Sequence, residues 1–151
     1  MLSRSVVEIA TVNVAKLTGN MKGMDMNILV DLYISRITEE NYWAEYHIGT
    51  FRSKEEAITA MKWIMGNGGQ FSAPACKTRT EEVPVIGDHA GIDDVYRFYG
   101  QNLDSTLEGD MIVSPYYVDK SAAIREFIQA KKETPRQKWD LETYQIGKCS
   151  W

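Results

Sequence analysis

Residues 42–65 read YWAEYHIGTFRSKEEAITAMKWIM, and they carry the pattern that decides the fold. Over residues 42–51 the chain alternates between two faces, which is typical of a strand. One face of this strand carries Tyr42, Ala44, Tyr46 and Ile48. Next, Ser53 and Glu56 predict a helix start, because each side chain can satisfy the other's exposed backbone N–H. Apolar residues then recur at helical spacing and form the predicted buried stripe: Ala57, Ile58, Met61, Ile64 and Met65.

The residues before this stretch add a second strand. Residues 27–37 also alternate, and their apolar face carries Ile28, Val30, Leu32 and Ile34. A short polar turn over residues 38–41 joins the two strands, so we predict an antiparallel hairpin. Residues 5–17 fit helical spacing, but their β-branched content disfavours a helix, and we expect residues 1–25 to form a peripheral N-terminal segment.

The residues after the helix are less regular. The glycine-rich run 66–69 is predicted to end the helix in a left-handed cap, because glycine and asparagine tolerate that conformation. A strand is predicted at about residues 71–80, and Pro74 suits an edge position for it. Residues 81–110 are predicted to be irregular and acidic, with a short helix at about residues 92–99.

A second strand–helix unit follows at residues 111–128, MIVSPYYVDKSAAIREFI. We predict a strand over 111–118, in which Pro115 indicates an edge position or a bulge, and a helix capped by Asp119. The predicted buried positions of this helix are Ala123, Ile124, Phe127 and Ile128. A last strand is predicted over 139–148. Both helices have alanine at the fourth position after the cap and isoleucine at the fifth, which indicates either a repeat or the common chemistry of helix starts.

Two such units predict a ferredoxin-like α+β sandwich. Split β-α-β units can interleave into one antiparallel sheet with the helices packed on one face, here with an extra N-terminal strand. We therefore expect residues 26–151 to form a single α+β domain with an acidic insertion at 81–110.

Composition and length favour an ordinary globular protein. The chain has 151 residues, of which 44% are hydrophobic and 25% charged, so neither disorder nor a fibrous structure is indicated. No apolar run approaches the roughly 20 residues that span a bilayer. Polar residues, among them Glu8 and Lys16, interrupt the N-terminal apolar stretch, so we expect no export and a cytoplasmic protein. Cys76 and Cys149 are expected to be reduced thiols.

The motifs of catalysis and cofactor binding are missing from the sequence. The glycine-rich run at 66–69 follows a helix, whereas a phosphate-binding loop precedes one. The histidines and cysteines lack the close spacing of structural zinc sites. A reactive pairing of Cys76 with His47 or His89 stays open, but nothing local favours it. We expect no enzyme activity, no cofactor and no metal.

Charge is the feature that points to function. The net charge of −4 disfavours nonspecific nucleic-acid binding. Between residues 81 and 110, eight acidic residues accompany one base, Arg97, and aromatic residues are interleaved with them. Carboxylates steer association with a basic protein, and aromatic side chains supply buried anchors. The expected partner-binding residues are Glu81, Glu82, Asp88, Asp93, Asp94, Tyr96, Phe98, Tyr99, Asp104, Glu108 and Asp110.

These observations predict a small acidic inhibitor that neutralises a basic protein partner such as a nuclease toxin. The charge logic is similar to that of immunity proteins and antitoxins in general. The alternative is a ligand-binding or regulatory ferredoxin-like domain that forms a homodimer through its sheet, and a small enzyme that uses the acidic loop comes third. No membrane partner is expected.

Overall fold

The computed structural model describes residues 26–67, 69–71, 75–103, 111–136 and 138–149. The chain divides into two compact units. The first contains residues 28–83 and the C-terminal residues from 145, and the second contains residues 84–144. The predicted N-terminal segment 1–25 lies outside the described residues.

The first unit begins with the predicted hairpin. Strand β1 (Met26–Ile37) pairs antiparallel with strand β2 (Trp43–Phe51), and the register places Asp31 opposite Thr50 and Tyr33 opposite His47. The register shifts between Leu32 and Tyr33. Strand β3 (Cys76–Ile86) lies on the other side of β1, so the strand order of this unit is β2-β1-β3. The hairpin prediction is confirmed.

Helix α1 (Lys54–Gly66) begins where the sequence predicts. The Glu56 backbone N–H donates to Ser53 Oγ at 3.2 Å, while Glu56 Oε2 accepts from the Arg52 N–H rather than from that of Ser53. The helix ends at Gly66, but its cap residue Asn67 has φ −94°, so the predicted left-handed cap is wrong at this position. A single 3₁₀ turn (Gly69–Phe71) follows and returns the Phe71 side chain to the core.

The core of the first unit lies between α1 and one face of the hairpin. Its buried members are Val30, Leu32, Ile34, Ile48, Phe51, Ala57, Ile64 and Phe71. Three residues of the predicted apolar face of β1, Val30, Leu32 and Ile34, lie in this core, whereas the fourth, Ile28, is 46% exposed. The opposite face of the hairpin carries Asp31, Tyr33 and His47, which are polar or amphipathic.

Replacing Ser53 by alanine is expected to lower the free energy of unfolding by about 1 kcal/mol, because the Glu56 N–H loses its acceptor. Chemical denaturation measures this change. Ser121→Ala is the matched control, since Ser121 is an exposed helix-start serine whose cap is supplied by Asp119. An equal effect of the two substitutions would contradict a specific capping role for Ser53.

The second unit is built around strand β4 (Asp94–Gln101). Strands β5 (Met111–Val113) and β6 (Tyr116–Tyr117) both pair antiparallel with β4. Helix α2 (Lys120–Glu133) begins at the predicted cap Asp119 and leads to strand β7 (Lys138–Gln145), which also pairs with β4. Residues 85–86 of β3 pair in parallel with residues 116–117 of β6.

Three sequence-based predictions are wrong here. Residues 81–110 are not an irregular insertion, because β3 extends to Ile86 and β4 spans Asp94–Gln101. The predicted helix at 92–99 is wrong, because residues 94–101 form β4: Val95, Tyr96, Phe98 and Tyr99 are β-branched or aromatic and favour extended backbone, and β4 pairs with β5 and β6. The sheet is not wholly antiparallel, because the β3–β6 pair is parallel. The coarser prediction holds, since strands in a mixed sheet and two helices make up the regular structure of the described residues.

Pro115 lies between β5 and β6 and has no backbone N–H to donate. The predicted edge position is wrong for β6, because β6 lies between β3 and β4. The preceding Ser114 compensates in part: its Oγ accepts from the Phe98 N–H at 2.9 Å, and its own N–H donates to Phe98 O at 3.0 Å. The ladder with β4 therefore continues across the break.

The core of the second unit is aromatic. Phe98, Tyr117 and Ala123 are buried, and Phe127 and Trp139 pack against them. The predicted stripe of α2 is only half right, because Ile124 and Ile128 are exposed. Ala123, Phe127 and Ala130 face the core instead. No helix in the described ranges has the length and apolarity needed to cross a membrane.

Candidate functional site

The loop that joins β3 to β4, residues 87–93, carries two of the predicted acidic residues, Asp88 and Asp93. The side chains of Asp88 and Asp93 are exposed. Asp88 Oδ1 accepts a hydrogen bond from the Ala90 N–H at 2.9 Å, and the Ile92 N–H donates to His89 O at 3.1 Å. These short-range hydrogen bonds define the shape of the loop and hold the Asp88 carboxylate in place.

Glycine is required where this loop begins. Gly87 has φ +107°, and a Cβ there would lie 2.3 Å from Val118 Cγ2. The loop therefore leaves β3 in close contact with the residue that precedes the α2 cap. Its base is anchored against packed structure, while Gly91 at its tip has φ +72° and open space around it.

Arg97, the base of the acidic stretch, is turned into the protein. It is 7% exposed, its Nε donates to Ser114 O at 2.9 Å, and its Cζ lies 4.8 Å from the Tyr116 ring centroid. A second cation, Lys120, has its Nζ 6.0 Å from the Tyr96 ring centroid. Tyr96 itself is half-buried.

The three predicted aromatic residues have different surroundings. Phe98 is 6% exposed and belongs to the core of the second unit. Tyr99 is half-buried, and its hydroxyl donates to Glu142 Oε1 at 2.6 Å. Burial, together with this hydrogen bond, raises the pKa of Tyr99, so its phenol stays neutral. Tyr96 lies beside the loop near the start of β4 and is half-buried.

The remaining predicted acids are placed as follows. Glu81 forms an ion pair with Arg79 on β3, and Glu82 is exposed. Asp94 is half-buried at the start of β4. Asp104, Glu108 and Asp110 lie outside the described residues. In the second unit, the accessible carboxylates that the structure describes near the loop are therefore Asp88 and Asp93, with Asp94 beside them.

A buried polar network around Asp31 in the first unit was not predicted from the sequence. Asp31 is fully buried, and Thr50 Oγ1 donates to its Oδ1 at 2.8 Å. His47 Nε2 lies 3.2 Å from both Asp31 Oδ1 and Thr50 Oγ1, and the Tyr33 hydroxyl donates to Asp31 Oδ2 at 3.3 Å.

A second ionic group extends this face of the first unit. Arg79 Nε and Nη2 donate to the two carboxylate oxygens of Glu45 at 2.7 and 2.5 Å. The Arg79 guanidinium also lies 4.1 Å from the Tyr33 ring centroid, which joins it to the Asp31 network. Burial opposes the charge of Arg79, but the hydrogen bond and charge of Glu45 outweigh it and raise the pKa of Arg79. The Arg79 guanidinium is therefore charged, and it contacts both the Glu45 carboxylate and the Tyr33 ring.

The geometry of the Asp31 network favours a structural role. In a nucleophile–histidine–carboxylate relay, the hydroxyl and the carboxylate contact different nitrogens of the imidazole. Here Thr50 and Asp31 share His47 Nε2, so no proton path runs from the hydroxyl through the ring to the carboxylate. The available sequence signal was an aspartate in the apolar strand 28–34, opposite a threonine in the hairpin register.

Cys76 and Cys149 are thiols, Cys76 partly buried and Cys149 exposed. Burial raises the pKa of Cys76, although the charge of Arg36 opposes the shift, and burial also raises the pKa of Cys149. A raised pKa lowers the thiolate fraction at neutral pH. Across the described ranges, no three histidine, cysteine or acidic side chains are grouped as metal ligands.

Comparisons of the chain with protein-family models, with curated proteins and with solved structures find no match. A functional assignment therefore has to start from the residues of this chain.

Proposed function

We propose that this chain is a protein-binding inhibitor of the immunity or antitoxin type, which neutralises a basic partner such as a nuclease toxin. The observation that supports the proposal most directly is the pair of exposed carboxylates, Asp88 and Asp93, on the anchored β3–β4 loop. Nucleases bind phosphate backbones with basic clefts, and an acidic loop that enters such a cleft competes with the nucleic acid.

Electrostatic steering is the physical basis of the proposal. Opposite charges on two proteins raise the rate of diffusional encounter, and the effect grows when the charges are held at fixed positions. Asp88 is held by its bond to Ala90, and the base in this stretch, Arg97, donates inward to Ser114. Lys120 beside Tyr96 is the cation that a partner's basic surface would have to avoid.

Tyr96 is the proposed aromatic anchor of this surface. Tyrosine is enriched among interface residues with large binding contributions, because its ring is apolar and its hydroxyl bonds at the rim. Tyr96 lies in β4 near the end of the acidic loop and is half-buried before any partner binds. Phe98 is excluded from this role by its place in the core.

The proposal needs no cofactor, metal or membrane, and it places the protein in the cytoplasm with its partner. An acidic loop repels phosphate, so nucleic acid is not proposed as a direct ligand.

The double substitution Asp88→Asn/Asp93→Asn is expected to lower the association rate constant with the captured partner about threefold, with a smaller effect on dissociation. The partner is captured from a lysate of the source cells by the immobilised chain, and surface plasmon resonance then measures both rate constants. Association of the unaltered chain should slow as ionic strength rises.

Glu39→Gln/Glu40→Gln is the matched control, because it removes the same charge from an exposed turn of the first unit. Equal slowing by both double variants would reduce the effect to net charge. Association that is independent of salt would overturn the steering argument, and a captured protein that is this chain itself would favour the homodimeric alternative.

We also propose that each unit is a split β-α-β of ferredoxin-like type. In the first unit, α1 connects β2 to β3, and β1 lies between those strands. In the second unit, α2 connects β6 to β7, and β4 pairs with both. This recurrence supports the repeat that the similar helix starts indicate, with β4 taking the place of the predicted irregular insertion.

A further inference from the structure

A groove in the first unit has the features of a second protein-docking surface. It has a volume of about 860 Å³ and lies between helix α1 and the C-terminal residues 146–149. Its lining includes apolar, acidic and aromatic side chains, among them Phe51, Ala60, Ile146, Glu55, Glu56 and Trp63.

Trp63 is the most unusual of these residues. It lies in α1 and is 65% exposed, although tryptophan buries more apolar area on contact than other side chains. An exposed tryptophan at the edge of a groove is the kind of residue that dominates binding energy in protein interfaces. The core of the unit does not account for Trp63, because the buried face of α1 carries Ala57 and Ile64.

The charges of the lining residues favour a basic binding partner. Glu55 and Glu56 are exposed in the first turn of α1, and Arg52 is the cation among the lining residues, so the lining is acidic by one charge. Glu56 and Trp63 are seven positions apart, which places them on the same side of the helix about 10 Å from each other. An extended peptide covers that distance in about three residues.

The far wall of the groove is fixed by backbone contacts. The Gly147 N–H donates to Thr50 O at 2.7 Å, and Cys149 forms a bridge with Gly49 on β2. A Cβ at residue 49 would lie 2.7 Å from Lys148 O, so the close approach of the two segments requires Gly49. Preformed walls reduce the ordering cost of binding.

We propose that this groove binds an extended basic segment of a protein, with one lysine or arginine over the Trp63 indole and a second, about three residues away, beside Glu55 and Glu56. A cation is attracted by the face of an indole ring, and the two carboxylates neutralise the second charge. The groove lies in the first unit and does not include the β3–β4 loop. This inference therefore goes beyond the proposed inhibitory surface and can be tested independently of it.

The test is an NMR titration of the full chain with a synthetic peptide that has two lysines three residues apart in a glycine–serine background. The indole N–H signal of Trp63, assigned with a Trp63→Phe variant, should shift in a saturable manner, together with the amides of Thr59 and Cys149. Glu55→Gln/Glu56→Gln should weaken binding about threefold to tenfold.

Two control variants distinguish binding in the groove from an effect of net charge and from binding at the β3–β4 loop. Glu39→Gln/Glu40→Gln and Asp88→Asn/Asp93→Asn should leave the titration unchanged, so that loss of either proposed surface is seen without the other. No saturable shift at Trp63, or an equal response to a peptide with glutamates in place of the lysines, would overturn the inference. Shifts of the groove signals with the concentration of the chain itself would assign the groove to a second copy instead.

Discussion

Replacing Phe98 by alanine is expected to lower the free energy of unfolding by about 3–5 kcal/mol, because a buried ring is lost and a cavity is left. The Phe98 ring is 6% exposed, and its centroid lies 5.5 Å from that of Phe127, 6.2 Å from that of Tyr117 and 6.4 Å from that of Trp139. Urea denaturation followed by circular dichroism measures the loss. The sequence predicts Phe98 at the partner-binding surface. The change in the free energy of unfolding therefore shows whether Phe98 is a binding residue or a core residue.

Tyr96→Ala is the paired substitution on the same strand. Tyr96 is half-buried, and its loss is expected to change the midpoint of denaturation much less than the loss of Phe98 while weakening partner binding. Phe98→Leu should recover much of the stability, since it keeps most of the apolar volume. A stable Phe98→Ala variant with impaired partner binding would return Phe98 to the interface.

Replacing Asp31 by alanine is expected to cost about 3 kcal/mol of stability. The side chain is fully buried and takes hydrogen bonds from Thr50 and Tyr33, and it lies 3.2 Å from His47 Nε2. Its removal leaves these buried polar groups without their common acceptor. A buried donor without an acceptor lowers the free energy of unfolding by more than a formed hydrogen bond raises it.

Asp31→Asn is the informative companion, because the amide oxygen still accepts from Thr50 while the charge is removed. It should lie between the unaltered chain and the alanine variant in chemical denaturation. In a double-mutant cycle, Thr50→Val should cost less in the Asp31→Ala background than alone, since its partner is already gone. Additive costs would show that the network does not act as one unit.

Local chemistry explains which elements the sequence predicts well. The hairpin follows from period-2 alternation on both sides of a polar turn, and both helices start at the predicted caps, Ser53 and Asp119. Capping and alternation depend on residues close together in the chain. They are therefore visible without knowledge of the partner strands or of the packing.

The misses depend on contacts that are distant in sequence. Ile92, Val95, Tyr96 and Tyr99 fit helical spacing, but pairing with β5 and β6 makes β4 a strand. Likewise Ile124 occupies the fifth position after its cap, as Ile58 does, yet it is 37% exposed. The alanines one position earlier, Ala57 and Ala123, are both fully buried and belong to the cores of their units.

The candidate sites show the same division. The acidic residues of the β3–β4 loop can be identified from the sequence, because residue type determines charge. The sequence does not distinguish the half-buried Tyr96 from the core residue Phe98. The Asp31 network and the Trp63 groove were missed, since each requires a strand register or the position of residues 146–149. Burial, rather than residue type, separates these cases.

The parallel pairing of Val85 with Tyr116 has a consequence for the order in which the chain folds. The β4–β5 pairing joins segments separated only by one connection, whereas the β3–β6 pair closes a loop that contains β4 and β5. Longer closures cost more chain entropy and rarely form first. We therefore expect the β4–β5 hairpin to nucleate the second unit and β6 to dock onto β3 late, so that mutations at Val85 accelerate unfolding more than they slow refolding.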